Sequence, residues 1–398
     1  MKTLHLTNAY HATSGGISTF YRALFAYANR QGRPMRLIVP AAESFTERIG
    51  EHGIIYHVQA RNSPVADTRY RLLWALGSTG REIRAILRSE QPDLVEISDK
   101  YTLPLLSGFL RNNWISGVEM RPALVGSSHE RMDHTTRAYF GFPLLWKAIS
   151  RVFLKHYYFP MFDAHIANSA YTAEELIPAS KGHRLHRDLR ILPMGVDADS
   201  LTPEARTVEA QEALARRADV PRDAKMLLYV GRLSTEKNLM LLMDMTQLLP
   251  ADYYLIVAGT GPLESRLRME NSNIRLIGHI QRASIPELYA GAGVFVHPNP
   301  REPFGIAPLE AMAAGLPLVA PNAGGILTYA SLHNAWLAEP EPDAFASTVQ
   351  AVFANQQERE RKAHAARKIA EDHNWPNIAA RYFQAFDEWI ADRSRWMD

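Results

Sequence analysis

The chain has 398 residues, more than one typical hydrophobic core accommodates, and reads as two domains. It has no cysteine, which excludes a disulfide framework, a thiolate metal site and a cysteine nucleophile. A 46% hydrophobic, 22% charged composition with a net charge of +2 excludes a disordered chain, and the absence of any run of about 18 apolar residues excludes a membrane-spanning helix.

In chain order, apolar β-type runs alternate with amphipathic helical stretches. The first half gives the strands "TLHLTNA", "MRLIVPA", "DLVEIS", "ALVGSS", "AHIANS" and "LRILPM", with helices between them that include Ser18 to Arg30 and Arg81 to Ser89. The second half restarts with "KMLLYVG", "YYLIVAG", "IRLIGH", "GVFVHP" and "LPLVAP". The segment "LPMGVDADSLTPEARTVEAQEA" between the two series reads as a linker. This alternation means parallel sheets covered by helices on both faces. The expected class is α/β, two Rossmann-like domains facing a central cleft. Residues 1–195 form the first, 196–375 the second, and 376–398 a C-terminal helix crossing back to the first.

Charge separates the halves. Residues 1–195 hold 24 Lys and Arg against 16 Asp and Glu, whereas residues 196–398 hold 20 against 26. The basic half suits an anionic partner. Its basic residues are dispersed and no nucleic-acid-binding motif is visible, so nucleic acid is not the expected one. The start "MKTLHLTNAYHATSGG" lacks the apolar run of a signal peptide, and a cytoplasmic location is expected.

Candidate chemistry follows the strands. After the first, "HATSGGIS" runs into a helix, where Gly15 and Gly16 let backbone approach an anion at the helix N-terminus; a plain turn explains them equally well. His129 follows "ALVGSS" and is a polar candidate, although a lone histidine is more often structural. "DADS" carries Asp197 and Asp199 but lies in the linker and reads as turn chemistry. "VGRLSTEKN" places Arg232 and Lys237 after a strand, as a diphosphate would require or as a solvated pair would stand. "VAGTGPLE" fails as a dinucleotide motif because Glu264 occupies the third glycine position, which argues against a nicotinamide dehydrogenase.

"NPREPFGIAPLEAMAAGLPLVAPNAGG" holds two glutamates eight positions apart. Pro308 to Ala314 reads as a helix ended by Gly315, with Glu310 in its first turn, where a carboxylate interacts favourably with the helix dipole. Glu302 lies in the loop before it, after a buried-type strand, and the dipole does not account for it.

Together "GRLSTEKN", "EPFGIAPLEAMAAG", "PMGVD" and "HNWPNIAARYFQAF" resemble the retaining GT-B glycosyltransferases with a Glu-x7-Glu signature (family 4-like), over essentially the whole chain. "EISDKYTL" and "SSHERMD" resemble more narrowly the GDP-mannose-dependent mannosyltransferases that act on phosphatidylinositol mannosides. The resemblance implies a nucleoside diphosphate sugar donor, GDP-mannose or a UDP-sugar, and a hydroxyl acceptor, either a glycolipid or cell-envelope precursor or a soluble small molecule. It implies that Gly16, beside Gly15, brings an amide to the donor phosphates, that Arg232 and Lys237 neutralise the diphosphate, and that Glu310 holds the ribose. Glu302, with the amides of Phe304, Gly305 and Ile306, would grip the sugar, His129 would touch it from the first domain, and Ile280 would meet the base. The family often has Asn where this chain has Met194, so no role is carried onto Met194. It also implies same-face substitution with neither cofactor nor metal. A non-catalytic nucleotide-sugar-binding protein is the alternative. In "LLWKAISRVFLKHYYFP", Lys147, Arg151 and Lys155 form a basic stripe, so peripheral contact with the inner membrane face is a second expectation, against packing on the chain's own core.

Overall fold

A computed structural model of the chain describes residues 1–10, 15–63, 71–132, 143–180, 189–270 and 273–396. Residues 11–14 of "HATSGGIS" and the Lys147 side chain lie outside them. The chain forms two compact units, residues 1–193 with 376–398, and residues 194–375.

The first unit is built on β1 (Thr3–Thr7), β2 (Met35–Ala41), β3 (Phe45–Ile49), β4 (Gly53–Gln59), the short pair β5 (Arg61–Asn62) and β6 (Arg71–Leu72), β7 (Leu94–Ser98), β8 (Ala123–Ser128), β9 (Ala164–Ala167) and β10 (Leu189–Ile191). Its main sheet has the order β10-β9-β8-β7-β1-β2-β4-β3. The order reverses between β1 and β7, as in a doubly wound fold. All pairings in it are parallel except β3 with β4. The sequence reading missed β3 and β4. The residues of β3, "FTERI", are nearly all exposed, so this edge strand leaves no apolar run to read.

β1 and β8 are buried along their whole length, and Leu4, Leu6, Val95, Ile97 and Leu124 form the core with Ile83 and Leu87 of the helix Gly77–Glu90. Each such side chain contributes roughly 1.5–3 kcal/mol by leaving water. Two polar residues sit in the same layer as register partners on β1 and β7. His5 Nδ1 lies 3.1 Å from Glu96 Oε2, to which Tyr21 also donates at 3.0 Å. The helix Trp375–Ala391 supplies most of the returning segment, with Tyr382 donating to the Leu192 carbonyl at 2.7 Å and Phe386 packing on His5.

The second unit holds β11 (Lys225–Val230), β12 (Tyr253–Ala258), β13 (Ile274–Gly278), β14 (Val294–Val296), β15 (Leu318–Pro321) and β16 (Trp336–Ala338). They form one sheet, in the order β13-β12-β11-β14-β15-β16, with every pairing parallel. Leu227, Tyr229, Leu255 and Val257 pack against Leu242 and Met245 of the helix Leu239–Leu248. The second half of the expected linker proves helical: Thr207 caps the helix Val208–Ala218, its side chain accepting from the Ala210 amide.

Candidate functional site

β11 stands between β12 and β14, so the chain winds outward from β11 in one direction and from β14 in the other. The loops leaving the C-terminal ends of these two strands flank the switch point, where open parallel sheets bind ligands. One carries Arg232 and Lys237; the other carries His297, Asn299 and Glu302. Asn238, in the left-handed conformation, turns the first loop into its helix and donates from Nδ2 to the Pro298 carbonyl at 3.0 Å, tying the loops together.

Lys237 and Glu302 meet directly. Lys237 Nζ lies 3.0 and 2.8 Å from the two carboxylate oxygens of Glu302, and Asn299 Nδ2 donates to the second at 3.1 Å. Burial alone would raise the Glu302 carboxyl, but Lys237, His297 and Asn299 outweigh it and hold it at about 2. His297 Nε2 is 3.8 Å away and has no hydrogen-bond partner among the described residues. Burial, with Lys237 nearby, lowers the imidazole to about 4 despite Glu302. At pH 7 His297 is therefore neutral, and Lys237 supplies the charge that keeps Glu302 ionised.

The helix after Glu302 runs Ile306–Ala313, two residues earlier than Pro308. As the third helical residue, Pro308 still lacks an N–H that would have had no intrahelical partner. Glu310 is thus the fifth helical residue, beyond the first turn, which corrects the expected position and weakens the dipole explanation. The helix ends at Gly315 with φ +67°, the Leu316 amide donating to Ala311 at 2.8 Å and the Gly315 amide to Met312 at 3.1 Å. Glu310 accepts from Tyr289 Oη at 2.8 Å. Burial, reinforced by Asp197, raises its carboxyl against the opposing pull of Tyr289 and Arg282. A carboxylate so weakly compensated has free capacity for a donor such as a diol.

The amides of Phe304, Gly305 and Ile306 donate to no described residue. Gly305 has φ +84°, a conformation that suits glycine, and a side chain there would crowd Tyr329 Oη at 3.0 Å and Glu302 at 3.2 Å. Tyr329 donates to the Phe304 and Gly305 carbonyls, and the Gly325 amide to the Glu302 carbonyl at 2.7 Å, which fixes the loop.

Arg232 is half-buried just beyond β11, in a loop braced by the glycines of "VAGTGPLE". A Cβ at Gly259, whose φ is +146°, would lie 1.9 Å from the Gly231 carbonyl oxygen, and one at Gly261 would lie 2.4 Å from that of Leu233. The Gly-x-Gly pattern therefore serves backbone packing between two loops. Gly259→Ala is expected to cost about 3 kcal/mol in urea unfolding. Ile280 is buried in the loop after the edge strand β13.

Gly15, Gly16 and His129 belong to the first unit. The helix starts at Gly16 rather than Ser18, and the Gly15 carbonyl accepts from the Thr19 amide at 3.2 Å. A Cβ at Gly15 would meet nothing within 4 Å among the described residues. His129 follows β8 with both ring nitrogens buried and without a partner among the described residues. Burial, with Lys100 nearby, lowers it to about 4 despite Glu96. In the second unit Asp197 accepts from the Ser200 amide at 3.1 Å, in keeping with a turn, and Asp199 accepts from the distant Asn374 at 3.2 Å.

Residues 14–200 match the model of Glycosyltransferase Family 4 and residues 210–369 that of Glycosyl transferases group 1, in chain order and together spanning most of the sequence. The chain is a glycosyltransferase with a Glycosyltransferase Family 4 domain followed by a Glycosyl transferases group 1 domain. It is 26% identical over 394 residues to a GDP-mannose-dependent alpha-(1-6)-phosphatidylinositol dimannoside mannosyltransferase of Mycobacterium tuberculosis, covering 96% of this chain and 94% of that one. It is 28% identical over 374 residues to a GDP-mannose-dependent alpha-mannosyltransferase of the same species, covering 91% and 90%. Sucrose-phosphate synthase from Thermosynechococcus elongatus superposes with a TM-score of 0.79 at 18% identity, covering 98% of this chain and all of that one. Anabaena HepE, in complex with UDP and glucose, gives 0.72 at 19%, covering 98% and 100%. The fold is GT-B.

Sequence reasoning about this glycosyltransferase missed His297, Asn299 and Tyr289. The first two were legible in part, as polar residues immediately after the buried run "VFV" at the end of β14. His129 and His297 also give the glycosyltransferase an acid sensitivity. Each is held near 4 in the fold against an ordinary 6.5, so the unfolded chain takes up the protons first. Their contribution is complete above pH 6.5, falls as pH drops below it, and stops falling near pH 4. At pH 5 the loss should be about 2 kcal/mol for each, read by urea unfolding at pH 7 and pH 5. His297→Gln should remove one of the two increments.

Proposed function

We propose that this glycosyltransferase moves a hexose from a nucleoside diphosphate sugar, GDP-mannose or a UDP-sugar, to a hydroxyl of a glycolipid or cell-envelope glycan precursor, with retention and without a metal. The observation that carries the reading is the Lys237–Glu302 pair at the switch point, with the weakly compensated Glu310 and loop amides that donate to no described residue. Lys237 and Arg232 neutralise the diphosphate as it departs, Glu310 accepts from the ribose diol, and Ile280 lies against the base. Glu302 and the amides of Phe304 to Ile306 hold the sugar. In the first unit Gly15 and Gly16 offer backbone to an anionic group, and His129 meets a sugar hydroxyl.

Retention follows from substitution on one face, with the departing phosphate oxygen taking the acceptor's proton as the acceptor oxygen bonds to the anomeric carbon. The protein's part is electrostatic, and fixed cations do the work that a divalent ion does elsewhere. GDP-mannose is favoured by the donor in the names of the two mycobacterial relatives. A lipid acceptor is favoured by the helix Pro143–Phe153, where Ile149 and Val152 stand exposed beside Arg151. No helix among the described residues is long and apolar enough to cross a membrane, so such contact would be peripheral.

The test is a panel of GDP-, UDP- and ADP-sugars offered with phosphatidylinositol mannoside or a soluble glycoside, with the product's anomeric configuration read by NMR. An α-linked product from an α-configured donor is expected, with the rate unchanged by EDTA. An inverted product, or activity lost to EDTA and restored by Mg²⁺ or Mn²⁺, contradicts the mechanism. Binding without turnover of any sugar would point to a sensor.

A further inference from the structure

His129 is held in place almost entirely through its backbone. Its ring has no hydrogen bond among the described residues and packs edge-on against Phe20 at 5.5 Å. The segment that carries it is gripped from outside at each of four consecutive residues. The His129 carbonyl accepts from Asn168 at 3.4 Å, and the Glu130 carbonyl from Lys100 Nζ at 2.5 Å. Arg131 donates to the Tyr171 carbonyl at 3.2 Å and to Glu174 at 3.1 Å, and the Met132 amide donates to Glu175 at 3.0 Å.

Two of those four grips belong to one buried ion pair. Lys100 follows β7 and Glu175 lies on the helix Ala170–Ser180; their side chains are 2% and 5% exposed and 3.0 Å apart. Ser150, on the helix Pro143–Phe153, donates to the other Glu175 oxygen at 3.0 Å. The pair thus reaches the segment from both members, Lys100 through the Glu130 carbonyl and Glu175 through the Met132 amide. A buried ion pair is a poor source of net stability, because desolvation offsets most of the attraction, and such a pair is better suited to fixing geometry.

We infer that Lys100 and Glu175 are positioning residues, whose buried pair sets the path of residues 129–132 and so the place from which His129 meets substrate. This rests on the substrate contact proposed above for His129. The pair acts through Glu130 and Met132.

The experiment uses the full chain with Lys100→Met and Glu175→Met together, which removes both charges and leaves neither stranded. Three quantities are read: the nuclear Overhauser contact between the labelled His129 and Phe20 rings, GDP affinity by calorimetry, and GDP-mannose turnover. The ring contact is expected to disappear, kcat to fall at least tenfold, and GDP affinity to stay within twofold, since Arg232, Lys237, Ile280 and Glu310, proposed to hold the nucleotide, lie in the other unit. A ring contact that persists overturns the inference, and so does an unchanged kcat. A parallel loss of GDP affinity also overturns it, because the effect is then global. Should the double variant fail to fold, Ser150→Ala is read the same way, with a two- to fivefold fall in kcat expected and wild-type kcat overturning the idea. If the wild type turns over no sugar nucleotide, the proposed function fails, and the ring contact alone decides the positioning.

Discussion

Lys237→Ala is expected to lower turnover by roughly 10²- to 10³-fold, the loss that follows when one preorganised donor to a departing anion is removed. The ion pair adds a second consequence. Lys237 is the main charge that holds Glu302 near 2, so truncation leaves a buried carboxylate to which, among the described residues, only Asn299 donates. Breaking a buried pair from one side costs about 3–5 kcal/mol, and the partial exposure of Lys237 places this one at the low end. The variant should therefore unfold at lower urea concentration as well as react slowly. Adding Glu302→Gln should restore most of the stability and none of the turnover. If the double variant regains turnover, or Lys237→Ala alone keeps it, Lys237 has no part in the chemistry.

The two glutamates should separate by role, and in opposite directions. In the free protein Glu302 occupies Lys237 through both carboxylate oxygens, so a diphosphate must compete with it. Glu302→Gln removes that competitor. Affinity for free nucleoside diphosphate should rise severalfold while sugar transfer collapses, because the charged acceptor for sugar hydroxyls is gone. Glu310→Ala should do the reverse to affinity. Hydrogen bonds to a charged group contribute about 1.5–3 kcal/mol, so losing the ribose contact should weaken free nucleotide roughly 10- to 100-fold. Were Glu310 merely structural, its removal would lower the melting temperature and leave nucleotide affinity untouched. Calorimetry on the two variants decides between these outcomes.

Much of the second unit was legible because buried parallel strands are continuous apolar runs. "KMLLYVG", "YYLIVAG" and "LPLVAP" announce β11, β12 and β15 without any partner being known. Edges were less legible. β3 is exposed and polar, and β16 has three residues, too few to show a period. Boundaries failed where a backbone conformation decided them: Pro308 suggested a helix start that Gly305, at φ +84°, places two residues earlier. Asp197 was readable as a turn residue because its partner, the Ser200 amide, is three residues away. The Lys237–Glu302 pair could not be read from the sequence in the same way. Its members are 65 positions apart, and only the adjacency of β11 and β14 joins them.

The loops after β11 and β14 are proposed to bind a nucleoside diphosphate sugar through Lys237, Glu302 and Glu310. Titration calorimetry of GDP, UDP and ADP into the wild type, Glu302→Gln and Glu310→Ala tests this most directly. One nucleoside diphosphate should bind the wild type, more tightly to Glu302→Gln and more weakly to Glu310→Ala. Binding of none, or binding indifferent to both substitutions, contradicts the account.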